Sequence, residues 1–332
     1  MSTILAIETS CDDTCAAVVT SDGEIRSNVI SSQGIHDRYG GVVPEVAARH
    51  HLELANAVVD DALAAGGATL DDVDLVAVTC GPGLVGALLV GIATAKAIAA
   101  ARDLPLTPVD HLQGHVAANF LDAGGPPLEP PFLCLVASGG HTFLAKVEGN
   151  DGFEVLGRTL DDAAGEAVDK GARLLGLPFP GGPALERLAA EGDESAFDFP
   201  VAAKVAGLDF SFAGLKTALL YKVRELGEDQ AAARRADLAA AYQRAIVEAL
   251  ALRVERALGE TGIDRLAIGG GVAANGPLRE RMAGLGVELK VPPRELCTDN
   301  AAMIGSAARF ADPLGPDEYL ALDAYATGQR DL

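Results

Sequence analysis

Apolar runs alternate with short polar turns along this chain in a pattern that predicts an α/β fold. Ile4 to Thr9 reads as a buried strand, and the polar turn Ser10-Cys11-Asp12-Asp13-Thr14 leads to a second strand, Ala16 to Thr20. The two predict a hairpin with two acidic residues at its tip, followed by the turn Ser21-Asp22-Gly23-Glu24. Helical periodicity fills Pro44 to Ala65, where Pro44 suits a first turn because the N–H it lacks has no partner there. A parallel-type strand, Leu75 to Thr79, runs into Gly81-Pro82-Gly83 and a helix of small residues through Ala101.

The pattern then restarts. The Pro-rich run from Gly124 to Pro131 predicts a domain boundary. Beyond it, Phe132 to Val136, the turn Ser138-Gly139-Gly140-His141-Thr142 and Phe143 to Val147 repeat the opening order of strand, polar turn and strand. This coarse duplication predicts two related α/β lobes around a cleft. A helix-rich stretch, Ala184 to Glu260, precedes strand Arg265 to Ile268, the loop Gly269-Gly270-Gly271 and a last helix, Asn300 to Phe310. The expected organisation is a first lobe over 1–127, with a helix at 300–312 packing back on it. A second lobe with a helical insertion spans 128–299, and a tail follows at 313–332. The length of 332 residues agrees with more than one core.

Composition narrows the function. A net charge of −21 excludes nucleic-acid binding through a general basic field. The absence of Trp and the few aromatics argue against a base-stacking platform. Local patches such as Arg234-Arg235 or Arg279 to Arg281 remain, so a nucleic-acid substrate implies a basic partner that helps hold it. The longest apolar stretches carry glycines, charges or turn residues, so no membrane span is expected. The chain enters Ile4-Leu5-Ala6-Ile7 almost at once, without a charged region and signal peptide, which predicts a cytoplasmic protein. Five scattered cysteines without CxxC spacing fit reduced thiols.

The candidate chemistry centres on His111 and His115, two of only six histidines. Residues four apart stand on one helix face, where two imidazoles can close on one metal ion. A third ligand must come from elsewhere, and Asp299, in Cys297-Thr298-Asp299-Asn300, is the candidate. Asp299 also suits the N-cap of the last helix, where Asp is favoured. Two His and one carboxylate leave open positions suited to Fe(II) or Zn(II). A zincin protease would need His-Glu-x-x-His, and Leu112 replaces that Glu, so the general base is missing.

Four glycine clusters follow or join predicted elements: Gly81-Pro82-Gly83, Ser138-Gly139-Gly140, Pro180 to Pro183 and Gly269 to Asn275. Glycine lets a backbone approach a phosphate, so together they favour a nucleotide cleft. The chain has neither a P-loop nor a G-x-G-x-x-G after its first strand. Asp169 and Lys170 could bond a ribose or purine, or form a helical ion pair.

Seven ordered motifs resemble the bacterial TsaD family over essentially the whole length. They are Ile7 to Thr14, Tyr39 to Glu45, Gly81 to Gly86, His111 to His115, Ser138 to Thr142, Leu208 to Thr217 and Gly270 to Asn275. The resemblance implies an actin/Hsp70/sugar-kinase (ASKHA) fold of two ribonuclease-H-like lobes. It implies transfer of threonylcarbamoyl from threonylcarbamoyl-AMP to the N6 amine of the adenosine just 3′ of the anticodon, in tRNAs reading ANN codons.

By motif, the resemblance makes His111, His115 and Asp299 the ligands of one Fe(II) or Zn(II). It makes Val136, Ala137, Ser138, Gly139, Gly140, Asp169, Gly182, Glu186 and Asn275 the nucleotide and substrate contacts. Asp12 becomes an acidic residue near the transferred group, able to take the amine proton. The implied partners are tRNA, a TsaB-like paralogue and a TsaE-like ATPase, and the small-residue helix from Val85 to Ala101 is either a dimer face or a core helix. Asp13 departs from the family, which commonly has Glu there. Val136 stands where archaeal relatives have Tyr, and Glu186 occupies a variable position. Competing readings are an ASKHA-type phosphotransferase or ATPase and a nucleotide-gated scaffold, with a metalloprotease less favoured.

Overall fold

Strand β1 (Thr3–Glu8) is buried at every position, as a central strand covered on both faces requires. It pairs antiparallel with β2 (Asp13–Thr20), which pairs antiparallel with β3 (Ile25–Ser32). Asp13 therefore begins a strand, opposite Ser32, and only Asp12 stays in the connecting turn. Helix α1 (Pro44–Ala65) opens with its proline in the first turn. Strand β4 (Leu75–Gly81) pairs parallel with β1, helix α2 (Val85–Arg102) follows, and β5 (Leu106–Asp110) pairs parallel with β4. Helix α3 (His111–Ala117) then starts directly from the end of β5.

A second five-stranded sheet repeats this plan. Strands β6 (Phe132–Ala137), β7 (Thr142–Val147) and β8 (Glu154–Arg158) form an antiparallel meander. The expected helix-rich stretch resolves into separate helices after α4 (Ala164–Leu174). These are α5 (Gly181–Ala189), α6 (Ala213–Ala233), which breaks at Gly227 (φ 75°), and α7 (Arg235–Thr261). Strand β9 (Arg265–Gly269) pairs parallel with β6, α8 (Gly276–Ala283) follows, and β10 (Glu288–Lys290) pairs parallel with β9. The orders β3-β2-β1-β4-β5 and β8-β7-β6-β9-β10 are the same, with the same pairing senses. The coarse sequence duplication is therefore a duplication of sheet topology.

Three further helices follow among the described residues: α9 (Arg294–Cys297), α10 (Ala301–Ala308) and α11 (Pro316–Tyr319). Helix α10 is buried at all eight positions, because it lies on β1 and β2 with α3 against it. An apolar helix without a polar face belongs in such a place. Gly305 lets it close on the sheet: a Cβ there would stand 2.9 Å from Val19.

The computed structural model describes residues 1–123, 125–201 and 205–326. Unit 1 comprises Met1–Pro130, Gly149–Phe153 and Pro292–Leu332, and unit 2 comprises Pro131–Glu148 and Glu154–Val291. The first division falls after Pro130 rather than at 127, and the chain returns to unit 1 at Pro292 rather than at 300. Asp299 thus belongs with His111 and His115, not with the second lobe. Gly124, at the start of the Pro-rich run, lies outside the described residues, as do 327–332 of the expected tail. Helix α2 is long and apolar enough to cross a membrane by length and composition. Its residues Leu88, Ile92, Ala95 and Ala99 instead join the buried core with Val58, Val59 and Val76.

Candidate functional site

Helix α3 is anchored at its start. Asp110 caps it, with Oδ1 accepting the N–H groups of Leu112 at 2.8 Å and Gln113 at 3.2 Å. The hydroxyl of Tyr325 donates to the other oxygen of Asp110. Gly114 admits the neighbouring helix, since a Cβ there would lie 2.8 Å from Ile304 of α10. The helix consequently presents His111 and His115 beside the start of α10, and their ring centroids are 4.7 Å apart.

Asp299 completes the group. Its Oδ1 lies 3.6 Å from His111 Nε2 and 3.5 Å from His115 Nε2. Asp299 is not the cap of α10: Asn300 is, accepting the N–H of Met303 at 3.0 Å. The cap that the sequence also allowed for Asp299 belongs to its neighbour, which leaves the Asp299 carboxylate for the histidines.

The three residues suit a metal ion. Both ring nitrogens of His115 are buried and find no hydrogen-bond partner among the described residues, an unfavourable state for a polar ring unless something else engages it. An ion about 2.0–2.2 Å from each donor in tetrahedral geometry sets the donors about 3.4 Å apart, close to the two His–Asp299 spacings, and all three ligand atoms lie within 4.8 Å of one another. The histidines are 4 % and 1 % exposed, whereas the Asp299 side chain is 23 % exposed, so the group is closed behind and open at the carboxylate. Burial tends to strip His111 of its proton, but Glu8 and Asp299 outweigh it and raise its pKa to about 9. Burial lowers the pKa of His115, which stays neutral with a lone pair to offer.

Sequence reasoning did not single out Glu8, which meets the Nδ1 edge of His111. Its Oε2 accepts the Thr79 hydroxyl at 2.6 Å and lies 2.9 Å from His111 Nδ1. The Ser10 N–H donates to Oε1. Burial opposes ionisation of Glu8, yet the charge and hydrogen bond of His111 hold its pKa below the usual value. A charged residue ending an otherwise apolar strand was the available signal.

The turn after β1 is fixed from α1. His51 donates from Nε2 to the Cys11 carbonyl at 2.9 Å and accepts the Thr14 hydroxyl at Nδ1, at 2.8 Å. Asp12 stays in this turn, outside the His–His–Asp group. The five cysteines form no disulfide.

Unit 2 brings the other expected contacts into one hydrogen-bonded series. Val136 and Ala137 end β6, and the Ser138–His141 turn closes through Ser138 N–H to the His141 carbonyl at 2.8 Å. The Ser138 carbonyl accepts the N–H of Gly165 in the first turn of α4. Asp169 of α4 accepts from Gly181 N–H at 2.8 Å, just before Gly182 in α5. Glu186 of α5 accepts from Gly276 N–H at 3.0 Å, and Asn275 caps α8 while donating to Gln243. Lys170 forms the ion-pair alternative, reaching Asp162 at 2.9 Å and Glu166 at 2.7 Å. A Cβ at Gly139 or Gly140 would meet no atom within 4 Å, so the turn has open space over its backbone.

A family model described as TsaD, tRNA N6-adenosine threonylcarbamoyltransferase, matches residues 24–306. The chain belongs to this family. A TsaD relative from Clostridium perfringens (strain SM101 / Type A) is 51% identical over 313 residues, covering 92% of each chain. One from Clostridium botulinum (strain 657 / Type Ba4) is 50% identical with the same coverage. Both carry the family's name, that of an acyltransferase. Among solved structures, component A of the Acidaminococcus fermentans (R)-2-hydroxyglutaryl-CoA dehydratase is 16% identical. It covers 96% of this chain and 100% of its own, with a TM-score of 0.57. Full-length HypF in its phosphate- and nucleotide-bound form is 15% identical over 93% of this chain and 46% of its own, with a TM-score of 0.61. These likenesses are of fold, and the fold is of the ASKHA type.

Proposed function

We propose that this chain transfers a threonylcarbamoyl group from threonylcarbamoyl-AMP to the N6 amine of the adenosine 3′ of the anticodon, in tRNAs that read ANN codons. The observation carrying this reading is the His111–His115–Asp299 group, with both histidines buried, in a chain half identical to TsaD relatives. A phosphotransferase on the same fold would leave that group without a task.

In this reading the N6 nitrogen attacks the carbamoyl carbon, the bond from that carbon to the phosphate oxygen breaks, and AMP departs. The exocyclic amine is a poor nucleophile and the mixed anhydride an activated donor, so placement and charge stabilisation supply most of the rate. The backbone of Ser138, Gly139 and Gly140 has the open space needed to receive the adenylate. Asp169, Glu186 and Asn275 hold the surrounding elements of unit 2 and, with Gly182, border the same ligand. Asp12 accepts the proton released from the amine. His111, His115 and Asp299 hold Fe(II) or Zn(II), which polarises the donor's carbonyl or phosphate when bound.

The acidic chain relies on others to hold tRNA. A TsaB-like paralogue and a TsaE-like ATPase complete the system in the cytoplasm. Leu52 of α1 and Val85 and Leu89 of α2 are exposed apolar side chains on two helices that pack together, which supports this face for the paralogue. The test combines the chain, both partners, threonylcarbamoyl-AMP and unmodified tRNA, with mass spectrometry of the nucleosides. Modified adenosine is expected with the wild type and not with His115→Ala. Its absence with wild type and active partners would refute the reading.

A further inference from the structure

Glu8 has no solvent exposure, and an ionised carboxylate taken wholly out of water is unfavourable unless well partnered. Its partners come from three elements: Ser10 after β1, Thr79 on β4 and His111 on α3. Glu8 meets the Nδ1 edge of His111 at 2.9 Å, whereas Asp299 meets the Nε2 edge at 3.6 Å. Two carboxylates thus address opposite edges of one imidazole. The candidate metal group takes in Asp299 and leaves Glu8 outside. The Ser10 hydroxyl also approaches Nδ1, at 3.2 Å, but the carboxylate is nearer and its hydrogen bond is charge-assisted.

We propose that Glu8 is the positioning residue of the metal centre. By accepting the Nδ1 proton of His111, it fixes the tautomer that turns the Nε2 lone pair toward the ion and makes that nitrogen more basic. Thr79 and the Ser10 amide hold the Glu8 carboxylate in the required orientation. This role rests on reading His111, His115 and Asp299 as a metal centre.

The test measures Zn(II) affinity of the metal-stripped full chain by competition with a chromophoric chelator. Wild type, Glu8→Gln and His115→Ala are compared. Gln keeps the size of Glu8 but removes the charge and adds N–H donors facing groups that themselves donate. Glu8→Gln is expected to weaken Zn(II) binding about 10- to 100-fold, the usual effect of losing such a partner. Wild-type affinity in folded Glu8→Gln would overturn the proposal, because a merely structural residue would alter melting and leave the affinity alone. A second readout needs no variant. In Zn(II)-loaded wild type, nitrogen-15 spectra should place the His111 proton on Nδ1 and the metal on Nε2, and the reverse assignment would overturn the proposal. Failure of the wild type to bind stoichiometric Zn(II) would overturn the metal reading and this role together. Normal wild-type binding with unchanged Glu8→Gln affinity would overturn the role alone.

Discussion

Asp299 Oδ1 lies 3.5 Å from His115 Nε2, although the two residues sit on different elements far apart in the chain. The adjacent Asn300 caps α10. Neighbouring residues thus divide two tasks, and substitution should separate them. Asp299→Ala is expected to lose bound metal and transferase activity with little change in the melting of the metal-free chain. Asn300→Ala should retain the ligands but cost about 1 kcal/mol of stability, typical of a lost N-cap. Elemental analysis and thermal melting of both variants check this. Full metal occupancy in Asp299→Ala would count against the assignment.

Metal affinity should rise with pH. His111 in the metal-free chain has its pKa raised to about 9, so near neutral pH a proton competes with the ion. Zn(II) binding should release about one proton at pH 7, and the affinity gain should level off above pH 9. The metal-free fold behaves oppositely. A histidine raised above its ordinary pKa of about 6.5 contributes stability in full below that value and loses it as pH rises through about 9. Calorimetric titration in buffers of different ionisation enthalpy, with melting from pH 6 to 9.5, tests both signs.

Asp13 should destabilise the metal-free fold at neutral and higher pH. Burial raises its pKa to about 7, aided by Asp299, Asp12 and Glu8 and opposed by a hydrogen bond from Ser32. Its contribution to stability is present in full below the ordinary carboxylate range and is lost as pH rises through about 7. The melting advantage of Asp13→Asn over wild type should therefore grow from pH 4 to 7 and then stay constant. An advantage independent of pH would contradict the shift.

Gly139 in the Ser138 turn and Gly165 of α4, packed against it, should respond differently. Gly139→Val should leave melting nearly unchanged, because its Cβ meets nothing, while binding of an AMP analogue falls at least tenfold. Gly165→Ala places a Cβ 2.5 Å from the Ser138 carbonyl oxygen and 2.8 Å from Gly139, so it should cost about 1–3 kcal/mol through backbone displacement. Isothermal titration and melting distinguish the two. Wild-type affinity in Gly139→Val would refute the phosphate-loop reading.

The sequence by itself determined the central strands, because full burial leaves uninterrupted apolar runs. Thr3–Glu8, Leu75–Gly81, Phe132–Ala137 and Arg265–Gly269 were all legible. The four strands it did not show, β3, β5, β8 and β10, are the edges of the two sheets. An edge strand pairs on one side only and tolerates polar residues and proline, as Pro108 in β5 illustrates. The His111–His115 pair was legible because four residues bring a helix back to the same face. Asp299 was legible as a candidate ligand, but only the tertiary structure decided between ligand and cap and revealed Glu8. Burying α10 on β1 and β2 brings Asp299 to the histidines, and the turn of β1 into β2 places Glu8 behind His111. Contacts between residues so distant in sequence leave no periodic trace, because they follow from packing of whole elements.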